Sequence, residues 1–274
     1  MRARKRCGAL PRCEVWLLDV AASAAALDEM ERRDPHLPSD EKERAAAVGG
    51  CPSRAAVRRA CRIALRLLIE RCAGPDPARR PFAYGRTGKP YLPDTAVHFN
   101  LSHRQDIALI ALSHGERVGI DVEIERGTVP ALSGGRGDGL RKAAAAMAPC
   151  RPLPVGSAGT LQAWTRLEAA AKGEGGGIGR LLTDLGLRGN CNRESGGDAG
   201  QKARAWLAAT GLDVVDLVLP EGMFGALALR GARSPLRPLY FPANLGELAA
   251  LSFGIDGSRR ARHKGDGRSV APPG

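Results

Sequence analysis

The chain has 274 residues, enough for one large core or two modest ones, and its 41 Lys and Arg against 29 Asp and Glu leave a net charge of +12. Nucleic acid, anionic lipid, phosphate-rich small molecules and acidic proteins would all suit that charge. Much of it sits at the two ends, however, where residues 1–12 and 251–274 read as basic, flexible tails.

The cysteines, at 7, 13, 51, 61, 72, 150 and 191, form no Cys-x-x-Cys pair and are odd in number, which argues against a zinc ribbon and a disulfide framework. Arg12, Glu14 and Asp19 interrupt any signal-peptide core, and no apolar stretch approaches the roughly 20 residues that span a bilayer. The expectation is a cytoplasmic protein with no membrane partner.

In chain order, residues 13–20 read as a first strand. From Ser53, a candidate N-cap, to Cys72 the spacing predicts a helix with Ala56, Ala60, Ile63, Ala64, Leu67 and Leu68 on one face and Arg58, Arg59, Arg62 and Arg66 elsewhere. Residues 81–94 carry Gly and Pro at turn spacing. Two strands follow, 97–101 and 107–112, joined by a polar turn at 103–106, and a third strand covers 117–124.

A helical pattern covers 140–148 and another runs from about 160 to 172, stopped by the glycines of 173–179. Residues 186–200 read as a Gly-rich loop. Residues 212–219 and 223–229 flank a turn and predict a hairpin. Strand, helix and hairpin thus occur twice, so the expected class is α/β (α+β), with similar subdomains at 13–115 and 116–250.

Successive strand residues point to opposite faces, so Gly119, Asp121 and Glu123 share one side and Val118, Ile120, Val122 and Ile124 the other. An isolated pair of this kind is commonly a solvated acidic face, but two hard carboxylates at this spacing also suit Mg²⁺. On the later helix, Trp164, Glu168 and Lys172 form a stripe at intervals of four. Glu before Lys at that interval is an ordinary surface pair; beside the acidic strand it offers a third carboxylate and a phosphate-holding ammonium. Ser102 and His103 are strand neighbours whose side chains point apart, which speaks against a hydrolase triad. The stretch from Gly85 to Pro90 lacks the spacing of a nucleotide-binding P-loop, though Lys89 can serve as a point charge for phosphate. No recognised nucleic-acid motif appears, and nucleic acid is not an expected partner.

Gly88-Lys-Pro90, Phe99-Asn-Leu-Ser-His103, Gly119-Ile-Asp-Val-Glu123 and Trp164-Thr-Arg-Leu-Glu-Ala-Ala-Ala-Lys172, in that order, resemble the motif set of the two-domain, surfactin-synthetase-activating type of 4'-phosphopantetheinyl transferase. The resemblance spans approximately 13–232 and implies a pair of α/β subdomains related by a pseudo-twofold, each a small sheet packed with helices, with coenzyme A and Mg²⁺ bound in the cleft between them. It implies transfer of 4'-phosphopantetheine from coenzyme A to a serine of an apo acyl or peptidyl carrier protein, with Mg²⁺ as cofactor and 3',5'-ADP as the leaving product. Asp121, Glu123 and Glu168 are then the metal ligands, with Glu168 as ligand, general base or both. Lys172 and His103 contact phosphates, Lys89 and Ser102 lie near the 3'-phosphate, and Arg54, or Arg58 and Arg59, add basic contacts. A monomer is expected, with fatty-acid, polyketide, nonribosomal-peptide and lysine-biosynthetic carriers all open.

Two departures accompany the resemblance. Leu167 stands where the strict helix motif has Lys, and 126–158 lacks the aromatic-containing stretch that usually follows the acidic strand. The alternative reading is a catalytically weak coenzyme A-binding homologue with an altered partner surface.

Overall fold

The computed structural model describes residues 13–41, 52–125, 135–188, 198–233 and 236–252. The 1–12 tail, 253–274 of the other tail, 189–197 of the Gly-rich loop and the Ser53 cap lie outside the described residues or side chains.

Strand β1 (Cys13–Asp19) runs straight into helix α1 (Val20–Arg33), and the Asp19 carboxylate caps that helix by accepting from the Ala22 N–H at 3.1 Å. The predicted long helix is α2 (Pro52–Ala73), followed by the short α3 (Pro75–Arg79). Where only turns were read, β2 (Ala83–Tyr84) and β3 (Pro90–Tyr91) make a small hairpin.

Strands β4 (Val97–Arg104) and β5 (Ile107–His114) pair as expected, but the turn between them is tighter. His103 and Arg104 stay in the ladder opposite Ala108 and Ile107, because Gln105 takes a left-handed backbone (φ 52°) that reverses the chain in two residues.

Strand β6 (Val118–Ile124) is followed by helices α4 (Gly135–Met147) and α5 (Gly156–Glu174). Gly175 ends α5 in the left-handed region (φ 93°) and donates its N–H to Ala171 O. The sequence reading did not predict α6 (Ile178–Asp184) or α7 (Ala199–Thr210). The expected hairpin is β7 (Asp213–Asp216) with β8 (Met223–Leu229). Strand β9 (Leu239–Tyr240) and helix α8 (Leu245–Ser252) complete the described chain.

Two small sheets packed against helices result, in a mixed α/β architecture. The first has the order β4-β5-β1-β9, with β9 parallel to β1 and the other pairs antiparallel; the second, β6-β8-β7, is antiparallel throughout. Grouped with the second half by sequence, residues 239–250 join the first sheet and its core, where Phe241 and Leu248 are buried.

Each sheet buries both faces. Leu18, Phe99 and Ile110 meet α2 through Ile63 and Leu67, while Val15, Leu17, Leu109 and Ala111 on the opposite face pack against Val118, Ile120, Val122 and Leu227 of the second sheet. Ala226 and Ala228 then meet Ala163, Leu167 and Ala170 of α5. The layers are therefore helix, sheet, sheet, helix, each interface closed by apolar side chains removed from water. No helix among the described residues is long and apolar enough to cross a membrane.

Both long helices carry a fully buried arginine. On α2, Arg66 pairs with Glu41 (Nη2 to Oε1, 2.8 Å), donates to the carbonyls of Ala78 and Arg80, and lies 3.6 Å from the Phe82 ring centroid. On α5, Arg166 is bidentate on Asp216 at 2.7 and 2.6 Å and donates to Ala144 and Arg151 carbonyls. The guanidinium's several donors satisfy carboxylate and backbone together, so a charge is tolerated in the core.

The second sheet is held to α5 by missing side chains. A Cβ on Gly119 would sit 2.1 Å from Ala169 O and 2.2 Å from Gly173 N, so the helix backbone rests directly on the strand. Replacing Gly119 with Ala is expected to cost about 3 kcal/mol, the upper end for overpacking, because backbone rather than a flexible side chain must yield. Urea denaturation would check this; a loss below 1 kcal/mol, on the order of a routine substitution, would contradict it.

Candidate active site

Strand β4 is the edge of the first sheet and β6 the edge of the second. The two edges meet through the polar face of β4. Asn100 Oδ1 accepts from the backbone N–H of Ile120 at 2.8 Å, satisfying an edge donor of β6. Two residues on, Ser102 Oγ donates to Asp121 Oδ1 at 2.7 Å, and after two more Arg104 Nε lies 3.2 Å from Glu123 Oε2.

Helix α5 closes the site from above. Lys172 Nζ donates to Asp121 Oδ1 at 2.5 Å and to Ser102 Oγ at 3.2 Å. Asp121, Lys172 and Ser102 thus come together at the sheet junction, with Glu123 on the same strand face and Glu168 near enough to feel the charges of Asp121, Glu123 and Lys172. Leu167, beside Glu168, is fully buried in the second core, so the non-basic residue at that position packs inward.

Burial dominates the electrostatics of the three carboxylates. Asp121 is 4% exposed and is raised from the usual carboxylate pKa by desolvation, against the opposing pull of Lys172 and Ser102. Glu123 is raised chiefly by desolvation, with Arg104 opposing and Asp121 adding. Glu168 is raised by desolvation, opposed by Lys172 and reinforced by Asp121 and Glu123.

Two oxygens of this set are left over. Asp121 Oδ2 is buried with no hydrogen-bond partner, and Glu123 Oε2 likewise has none, its contact with Arg104 being an ion pair only. An unsatisfied, buried carboxylate oxygen beside two further carboxylates is a fit for a hard divalent cation such as Mg²⁺, which Asp121, Glu123 and Glu168 would hold.

The remaining candidates lie around this centre. His103 sits on the β4 face opposite Ser102, and its imidazole is held below its ordinary pKa by the surrounding protein first, then by the charges of Arg58 and Lys172. Arg58 is the α2 arginine that reaches His103, and its Nε and Nη2 are buried without hydrogen-bond partners. Arg54 is exposed one turn earlier, and no contact among the described residues joins it to the others.

Lys89 Nζ donates to Val118 O at 2.8 Å and Lys172 O at 2.5 Å, tying the β2–β3 loop to β6 and to the end of α5. Burial first, then Arg117 and Lys172, pull its pKa down to about 8. It also lines a cavity of about 590 Å³ with Arg86, His98, Arg117, Glu174 and Arg180, a mostly basic chamber that begins at the end of α5, one residue beyond Lys172. Asn100, Arg104 and Gly119 were missed by sequence reasoning as contributors; the polar alternation of 98, 100, 102 and 104 along β4 is the signal that could have found the first two.

A second acidic group lies elsewhere. Asp34, His36 and Glu70 bring their ligand atoms within 4.8 Å of one another. That group already has its cation: Arg79 Nη2 lies 2.6 Å from Asp34 Oδ2 and 3.8 Å from Glu70 Oε2, while His36 Nε2 is 2.8 Å from Glu70 Oε2. It reads as a lock of the 34–38 segment onto α2 and α3.

A raised carboxylate pKa means that the charged form is disfavoured by folding, so stability present below the unfolded pKa is lost as pH rises through the folded one. Glu168→Gln fixes the neutral form. Without divalent cations it is expected to melt above wild type at pH 7, with the difference vanishing in acid; a lower melting temperature at pH 7 would contradict the electrostatic account.

No family model matches the chain. Over 123 residues it is 31% identical to the 4'-phosphopantetheinyl transferase HetI of a Nostoc species (strain PCC 7120), a match that covers 43% of this chain and 46% of that protein. The chain thus spans about half the length of this curated relative, and the match supports the 4'-phosphopantetheinyl transferase superfamily as the one to which it is similar.

Proposed function

We propose that the chain is a 4'-phosphopantetheinyl transferase of the two-domain type, moving phosphopantetheine from coenzyme A to a serine of an apo acyl or peptidyl carrier protein and releasing 3',5'-ADP. The observation that carries this reading is the buried Asp121 carboxylate, one oxygen held by Lys172 and Ser102 and the other unsatisfied, flanked by Glu123 and Glu168.

In this reading the serine oxygen of the carrier forms a bond to the β-phosphorus as the bond from that phosphorus to the bridging oxygen breaks. Glu168 takes the serine proton, directly or through water. Lys172, which stays at Asp121, offers its remaining N–H donors to the phosphates, and Ser102 and His103 offer further donors. Asp121, Glu123 and Glu168 would hold Mg²⁺, which when bound would neutralise the pyrophosphate charge. The basic chamber at Lys89, Arg117 and Arg180 suits the 3'-phosphoadenosine end, and Arg54 a flanking phosphate contact. The excess of basic residues suits the acidic surfaces common to carrier proteins.

Incubation with coenzyme A, Mg²⁺ and a panel of apo carrier proteins, read by intact mass, is expected to add one phosphopantetheine to at least one carrier. If no carrier gains that mass, the transferase reading is lost. Asp121→Ala and Glu168→Gln are each expected to lower the rate at least about a hundredfold, the scale of a lost general base or positioned charge. Near-normal rates in either would misplace the centre.

A further inference from the structure

The acidic centre already contains a second cation besides Lys172. Arg104, the last residue of β4, places Nε 3.2 Å from Glu123 Oε2 as an ion pair, without the geometry of a hydrogen bond. We infer that the Arg104 guanidinium is a placeholder at Glu123 for a divalent cation, so that the two compete for this carboxylate and Arg104 sets the affinity of the centre for the metal. The inference rests on the reading of Asp121, Glu123 and Glu168 as metal ligands.

Three observations carry it. The first is charge. Three carboxylates face two cations, Lys172 and Arg104, which leaves one negative charge over; exchanging Arg104 for a divalent ion brings the centre to neutrality while Lys172 stays. The second is the asymmetry of the two cations. Lys172 Nζ is tied to both Asp121 and Ser102, whereas Arg104 has Glu123 as its one partner among the described residues, so Arg104 is the cheaper to displace.

The third is access. The Arg104 side chain is 48% exposed and sits at a two-residue turn, with open solvent to move into, while Glu123 at 15% stays fixed on the strand. A half-exposed guanidinium can therefore leave without unpairing anything else among the described residues, and the Glu123 oxygen it vacates is one that has no hydrogen bond to lose.

Titration of the full chain with Mn²⁺, without coenzyme A, followed by the electron paramagnetic resonance signal of the free ion, separates the outcomes. Arg104→Ala is expected to bind Mn²⁺ about fivefold more tightly than wild type, the scale of a half-exposed ion pair, and Arg104→Lys to stay near wild type because it keeps the charge. Equal or weaker Mn²⁺ binding by Arg104→Ala, with binding still abolished by Asp121→Asn, overturns the placeholder alone. Mn²⁺ binding that neither Asp121→Asn nor Glu123→Gln weakens overturns the metal reading of the centre and the inference with it.

Discussion

The contact of helix α5 with strand β6 at Gly119 is the constraint on which the centre depends. Glu168 and Lys172 lie on the helix, Asp121 and Glu123 on the strand, and only a side-chain-free position lets the two backbones approach so closely. Gly173, whose Cβ would stand 3.2 Å from that of Ala228, continues the same seam one turn beyond Ala169. Packing distance here sets the geometry of the centre: any residue larger than glycine at 119 lifts the ammonium and the third carboxylate away from the first two.

A close approach of this kind needs a stiff frame. Arg166 supplies it on the far side of α5 by joining that helix to β7 and α4, and Arg66 does the same for α2 against Glu41 and the 78–80 carbonyls. Between them, the Asn100 and Lys89 bonds cross from the first half to the second and satisfy backbone groups that the sheet edges and the helix end leave open. The acidic cluster itself works against stability, since burial opposes ionisation of all three carboxylates. Rigid surroundings hold these charges together, as expected where strain is kept for chemistry.

Much of this was legible from residue pattern. The apolar stripe of 53–72, the 160–172 helix, the alternation of 118–124 and the 212–229 hairpin each gave an element within a few residues of where it lies. The side sharing Gly119, Asp121 and Glu123 faces α5, and Val118, Ile120 and Val122 fill the space between the sheets, as period-two spacing requires. Arg66, by contrast, looked like part of a wet face and is wholly buried, because its partners lie in segments that no local pattern connects to it. Helix α7 follows a Gly-rich stretch that masked its Ala-rich start, and β9 pairs with β1 across more than two hundred residues of chain. Asn100 and Arg104 have partners about twenty residues away on another sheet, so their roles exist only once the edges meet. Local periodicity fixes faces; which faces meet is decided by tertiary closure.

On the proposed reading Asp121, Glu123 and Glu168, and not the tighter Asp34, His36 and Glu70 group, would hold a divalent cation beside coenzyme A. The most direct measurement is an anomalous difference map from crystals grown with Mn²⁺ and coenzyme A. The account predicts a peak within coordination distance of Asp121 and Glu123, beside density for the pyrophosphate near Lys172. A peak at Asp34 and Glu70 instead, or pyrophosphate density away from Lys172, would contradict it.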